Sequence, residues 1–268
     1  MNNPFEQFGF TLELTKDQSP TLRPKPTEIE DAGETMHHSG GAAAETTYIY
    51  QSVIRSALKS AQLNDPHPTL QTVVVGLGLG YIEISWAAVI KQMGLSANEK
   101  ISIDSFETVK NLRKLFLAWI NQKEDCDTHI IYNQISQYFT SSENQSCEIR
   151  NELKKNFDTH GKLFDNVLNH QLINKNYNLI CFDAYSQITS QPLWEDCFLL
   201  EFIRQRANQD CVITSYGCTG VLKKILVNEG FELLNRPGFS GKRASTLALR
   251  GNFKNHQSLF ESTFKTIN

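Results

Sequence analysis

The chain has 268 residues, 40% of them hydrophobic and 21% charged, with a formal net charge of −3 at pH 7. These values are ordinary for a globular chain with a real core, built as one large domain or two small ones. No apolar run approaches the roughly 20 residues that cross a bilayer, MNNPFEQFGF lacks the charged, then apolar, then small order of a signal peptide, and the net charge gives no overall push toward nucleic acid, so a cytoplasmic protein is expected.

In chain order, residues 15–47 are rich in Pro, Thr, Gly and Glu with little periodicity, and read as loop and turn before a helix over about 45–62. Residues 1–62 are expected to form an N-terminal extension packing on a catalytic domain at 63–268. From about Thr69, short apolar runs alternate with helical periods: TVVVG, an amphipathic YIEISWAAVIKQM, KISIDSFE, and VKNLRKLFLAWINQ, in which Phe116, Trp119 and Ile120 share a core face. Strand, helix, strand and helix in that order predict βαβ units on a parallel sheet. The stretch 124–176 is polar, rich in Asn, Gln and Ser, with helical fragments such as EIRNELKKNF and no strong strand; it reads as a helical insertion. The strand pattern resumes with YNLICFDAY, a helix over WEDCFLLEFIRQRA, the strand CVITSYG and a helix over TGVLKKILVNEG. Two apolar runs flanking PGFSGKR then predict a closing antiparallel hairpin. The expected class is α/β, Rossmann-like, with a mostly parallel seven-stranded sheet, a C-terminal antiparallel hairpin and the helical insertion.

Three strand ends carry chemistry. VVVGLGLGYIEI runs from a buried strand into Gly76, Gly78 and Gly80 and then a helix, which brings backbone N–H groups and a helix N-terminus to the sheet's carboxyl edge. The dinucleotide fingerprint needs its third glycine one place later, where Tyr81 stands, so a pyrophosphate cradle is disfavoured; a smaller anionic or nucleotide-like ligand and plain turn chemistry both remain open. Glu107 closes the next strand, where it can accept from a ribose diol or stabilise the start of the following helix; Asp104, inside the alternating run, is expected to face away. Asp183 follows the apolar YNLICF, a setting that favours a raised pKa and a general-base role, and Tyr185 beside it can shape a pocket for a planar base.

Other features read more plainly. The six cysteines show no C-x-x-C, and Cys181 and Cys211 lie in strand-like runs, so buried reduced thiols are expected. His37 and His38 have no carboxylate or cysteine at ligand spacing, which makes them turn or pocket wall before metal ligands. Residues 216–268 carry eight Lys/Arg against three Asp/Glu, and Lys223, Lys224, Arg236, Lys242 and Arg243 are candidates for phosphate contacts.

Seven segments in one order, SPTLR, GETMHHSGGAAAETTYIY, VVVGLGLGYIEI, SFE, FDAYS with PLW, TSYGCTGVLKKILVNEGF and RPGFSGKRAST, resemble the methyltransferase domain of the MnmC and MnmD family. The resemblance implies a class I S-adenosylmethionine methyltransferase fold and methylation of the aminomethyl group at position 5 of wobble uridine in tRNA. It further implies S-adenosylmethionine as donor and no metal. Because the chain ends at Asn268, the stand-alone type without FAD is expected, and a monomer is favoured. By the same resemblance Gly76, Gly78, Gly80, Glu107, Glu45 and Tyr50 are cofactor residues, Asp183 sits beside the acceptor amine, and Lys242 and Arg243 lie near RNA phosphate or the wobble base. The family's usual Asp-Gly-Ser stands here as Asp17-Gln18-Ser19, and its usual small-Pro pair as Ser186-Gln187. For the acidic residue that reaches the adenine amine, Asp165 is the candidate. Another amine acceptor, or a degenerate scaffold protein, are the alternatives.

Overall fold

The computed structural model describes residues 3–26, 33–123, 127–140 and 142–267. The N-terminal extension opens with a hairpin of β1 (Phe10–Leu14) and β2 (Pro20–Pro24). The expected loop over 15–47 therefore contains a strand. Prolines at both ends of β2 mask it in the sequence, yet Pro is tolerated on an isolated two-stranded ribbon. The helix begins at Ala42 rather than 45, as α1 (Ala42–Thr46), a π-turn (Thr47–Gln51) and α2 (Ser52–Asn64) in unbroken succession.

The main sheet is built from β3 (Leu70–Val75), β4 (Ile101–Phe106), β5 (Leu163–Phe164), β6 (Tyr177–Phe182), β7 (Ala207–Ser215), β8 (Glu232–Leu233) and β9 (Thr246–Arg250). Its order is β5-β4-β3-β6-β7-β9-β8, parallel from β5 to β7, with β9 antiparallel to both neighbours. The seven strands and the closing antiparallel pair match the predicted class. Alternate residues of each strand feed opposite faces: Val74, Leu179, Cys181 and Val212 join one buried cluster, Val73, Val75, Ile180 and Ile213 the other. Phe116, Trp119 and Ile120, on α4 (Lys110–Ile120), are buried in the first.

The helix α3 (Tyr81–Gln92) is not amphipathic: every residue from Tyr81 to Ile90 is buried, because α1, α2, α5 (Asp127–Gln137) and α6 (Glu143–Thr159) cover the face the pattern assigns to solvent. The segment 124–176 is more than a helical insertion, since it supplies β5, the edge strand beside β4. Two residues are too few to leave a period-2 signal. Asn156 on α6 ties the segment to the sheet by accepting from Ile103 N at 3.0 Å and donating to Ile103 O at 2.8 Å. Asp104, as expected, faces away from the strand tips: it is buried and accepts from the Tyr177 hydroxyl and the Lys175 ammonium, both at 2.9 Å. Among the described residues no helix is long and apolar enough to cross a membrane.

Candidate functional site

Register builds the site. Val75 pairs with both Phe106 and Phe182, so the residues that follow, Gly76, Glu107 and Asp183, emerge side by side at the carboxyl edge. β3 is also where the connections change direction, to β4 on one side and β6 on the other, the crevice where open α/β sheets take ligands. A cavity of about 310 Å³ opens there, lined on the sheet side by Val75, Gly76, Gly78, Glu107, Asp183 and Tyr185. Gly76 has φ +103°, and a Cβ there would stand 2.5 Å from the Asp183 carbonyl oxygen; only glycine allows β3 and β6 to part this narrowly. Glu107 bridges strand tip and loop, accepting from Gly78 N at 3.0 Å and Val109 N at 2.7 Å. Burial pushes its carboxyl above the ordinary range, against these donors and the nearby Arg113.

Asp183 is held by its backbone N–H on Val75 O at 2.9 Å, and its Oδ1 accepts from the Tyr50 hydroxyl at 2.5 Å. Burial raises its pKa well above the ordinary carboxylate value; the Tyr50 donor and the Lys242 charge pull down, while Glu45 and Glu83 push up. Tyr50 comes from the π-turn, and the carbonyl of Ile49 before it accepts from Thr214 Oγ1 at 2.6 Å and Arg236 Nη1 at 3.0 Å. Tyr216, the first residue past β7, lines the cavity and donates its hydroxyl to Ala184 O at 2.8 Å. The Tyr185 hydroxyl is buried without a partner.

The N-terminal extension forms the opposite wall through Gly9, Phe10, Pro24, Met36 and His37. His37 is a pocket wall: burial lowers its pKa to about 4, so it is neutral at pH 7. His38 is a turn residue whose ring accepts from Gly40 N at 3.0 Å. Among the described residues no group of three or more His, Cys, Asp or Glu is arranged to hold a metal; Cys126 lies outside them. Cys181 and Cys211 are buried and free, as expected of strand residues.

Not every expected residue converges. Gly80 caps α3 with φ +73° against the Phe116 ring and does not line the cavity. Glu45 is buried behind it, its Oε2 accepting from His38 N at 2.8 Å and its Oε1 unpartnered. Lys242 and Arg243 line a separate exposed groove with Lys223 and Cys218 that shares only Tyr216 with the cavity; the Lys242 ammonium lies 4.6 Å from the Tyr216 ring centre. Arg236 is no phosphate contact: it is 1% exposed and donates to Ile49, Thr214, Ser215, Ser245 and Thr246. Asp165 is exposed and away from the cavity, where Val167 takes the wall instead. The sequence reading also passes over Met36, Val109, Leu193 and Tyr216; for Tyr216 the signal was available, since it follows a strand end as Asp183 does.

The site's walls suit a nucleoside-bearing cation: a glycine cradle, a carboxylate at a strand tip, apolar Val109, Val167 and Leu193, and a second carboxylate. Residues 131–251 match the family described as S-adenosyl-L-methionine-dependent methyltransferase. An uncharacterized protein of Methanocaldococcus jannaschii is 26% identical over 242 residues, 90% of this chain; the chain spans 60% of that relative's length. The crystal structure of MnmC2 from Aquifex aeolicus is similar at 19% identity and TM-score 0.56, over 90% of this chain and 69% of that one. That likeness is one of fold, a Rossmann-like α/β architecture with a mostly parallel seven-stranded sheet.

Proposed function

We propose that this chain is an S-adenosyl-L-methionine-dependent methyltransferase of the MnmC and MnmD type and methylates the aminomethyl group at position 5 of wobble uridine in tRNA, in the cytoplasm; the family match over residues 131–251 and the fold support the reading. The observation that carries the reading is the level row of Gly76, Glu107 and Asp183, with Asp183 held by Tyr50. S-adenosylmethionine supplies an electrophilic methyl group on a positively charged sulfur. Gly76 and Gly78 would leave room for its methionine moiety, Glu107 would accept from its ribose hydroxyls, and Val109 and Val167 would stand beside its purine. Glu45 and Tyr50 act from behind, through His38 and Asp183.

An aliphatic amine is protonated at neutral pH and has no lone pair to donate. Asp183 would take one proton from the acceptor nitrogen and so free a lone pair for the methyl group, which the donor would supply with the electrons of its S–C bond staying on sulfur. The burial that raises the Asp183 pKa makes it a better proton acceptor than a solvated carboxylate, and the Tyr50 hydroxyl keeps its Oδ1 fixed in place. Tyr185 offers a ring and an unpartnered hydroxyl to the base, and the groove of Lys223, Lys242 and Arg243 offers charge to the RNA backbone.

Incubation with labelled S-adenosylmethionine and tRNA lacking the modification tests the reading: label is expected in tRNA and in the methylaminomethyl nucleoside. Label that enters only small amines would instead support the second reading, a same-fold methyltransferase for another amine, which Ser186-Gln187 in place of the usual small-Pro pair favours. Calorimetry without heat on adding S-adenosylmethionine would leave the degenerate scaffold.

A further inference from the structure

The loop that follows Asp183 and Tyr185 has little of its own to hold it. Gln187, Ile188 and Thr189 are exposed, Ile188 to 95%, and the internal bonds are Thr189 N to Ser186 O at 3.1 Å and Ser190 N to Ser186 O at 2.8 Å. Ser190 and Leu193, immediately after it, line the cavity. One carboxylate from the far end of the chain reaches this loop: Glu34 Oε2 accepts from Ser186 N at 3.3 Å and from Thr189 Oγ1 at 3.0 Å. Its own backbone is pinned on both sides, since Arg23 Nη1 donates to Gly33 O and Met36 N donates to Leu22 O, each at 2.9 Å. Met36 and His37, two and three residues on, are cavity wall. The Glu34 charge helps raise the pKa of both Tyr185, after burial and Glu107, and Tyr216, after burial and Asp183.

We infer that Glu34 is a positioning residue: it latches the N-terminal wall of the cavity to the 186–189 loop and so fixes Tyr185 and the loop after it against the acceptor. The inference rests on the methyltransferase reading of the same cavity. Partly exposed hydrogen bonds contribute little to global stability, so the latch acts on geometry rather than on folding. Small misplacements of reacting groups are costly: about 1 Å is worth as much as 10²-fold in rate.

The test uses Glu34→Ala, Glu34→Gln, which keeps an oxygen acceptor, and Thr189→Val. Glu34→Ala is expected to lower kcat for methyl transfer to undermodified tRNA about tenfold while the S-adenosylmethionine Kd stays within about twofold, and Glu34→Gln to recover most of the loss. Combining Glu34→Ala with Thr189→Val should be no worse than Glu34→Ala alone, because the shared bond is already gone. A kcat within about twofold of wild type for Glu34→Ala, or independent effects in the double variant, overturns the latch. Limited elastase cleavage of the full chain at Ile188 reads the loop without any acceptor: Glu34→Ala should be cut faster than wild type, and equal rates also overturn the latch. If wild type transfers no methyl to tRNA, the substrate reading fails and the cleavage rates alone decide on Glu34.

Discussion

The two walls of the cavity are held by different forces. On the sheet side, Gly76, Glu107 and Asp183 take their places from strand register and from backbone bonds such as Asp183 N to Val75 O, which a side-chain substitution leaves intact. On the N-terminal side, a hairpin isolated from the main sheet is tied down by a few side chains. Thr15, Asp17 and Ser19 cap the start of α1, with Ser19 Oγ accepting from Ala42 N at 2.9 Å and Ala43 N at 3.0 Å, and Asp17 Oδ2 accepting from Ala44 N at 3.1 Å. Substitutions on the sheet side should therefore act on chemistry, and those on the N-terminal side on stability or position. Tyr50 joins the two, since it stands on the N-terminal helix and holds Asp183.

The contrast is sharpest at Asp183. Replacing it with Asn keeps the shape and the backbone bond but removes the proton acceptor, so methyl transfer is expected to fall by about 10²-fold or more with cofactor binding retained. Single-turnover transfer and calorimetry with S-adenosylmethionine measure the two quantities; retained turnover would end the base assignment. Tyr50→Phe is the next largest effect, about tenfold in kcat, and it carries a pH signature. The Tyr50 hydroxyl favours the ionised carboxylate and holds the Asp183 pKa lower than burial alone would set it. Without that donor the pKa rises further, less of the base is ionised at a given pH, and the rising limb of kcat against pH moves to higher pH. An unmoved limb would show that Tyr50 does not tune Asp183.

These two walls also differ in how far they can be read from the chain. The strand running into Gly76 and Gly78 and the acid-tipped strands at Glu107 and Asp183 are local patterns, and their ends stand at the cavity where periodicity put them. The N-terminal wall depends on contacts far apart in sequence that have no period: Glu34 with Ser186 and Thr189, Tyr50 with Asp183. Burial misleads in the same way. Arg236 sits in a basic, polar stretch that looks solvated, yet five partners from three segments enclose it, and α3 looks one-sided until the helices around it are known. The family resemblance points to segments there without giving their geometry; Asp17-x-Ser19 is a helix cap delivered from another part of the chain.

Asp17→Ala tests that cap. Its carboxylate accepts from Thr15 Oγ1 at 2.6 Å, Ser19 N at 3.0 Å, the Ser19 hydroxyl and Ala44 N, beside the positive end of the α1 dipole. Loss of a cap costs typically about 1 kcal/mol, and a charged acceptor with several partners somewhat more, so a destabilisation of about 2 kcal/mol is expected by urea unfolding. At temperatures where the variant stays folded, kcat should be close to wild type. A loss of rate without loss of stability would mean that the N-terminal wall enters the chemistry directly.

The smallest expected effect lies one residue on, at Gln18, which holds φ +65° between Asp17 and Ser19. For a residue with a Cβ that conformation costs about 1–2 kcal/mol, a strain that glycine does not carry. Glycine at the same place also adds freedom to the unfolded chain, worth about 0.4–1 kcal/mol in the opposite direction. The difference leaves a net stabilisation of about 0.5 kcal/mol for Gln18→Gly, or a rise of about 1–2 °C in Tm for a chain of this size. The Gln18 carbonyl, which accepts from Gln134 Nε2 at 3.4 Å, is backbone and survives the change. Calorimetric unfolding of the variant beside wild type reads the sign directly. A fall in Tm would mean that the strain at Gln18 is smaller than the freedom glycine adds, and that the turn capping α1 is fixed by Asp17 and Ser19 alone.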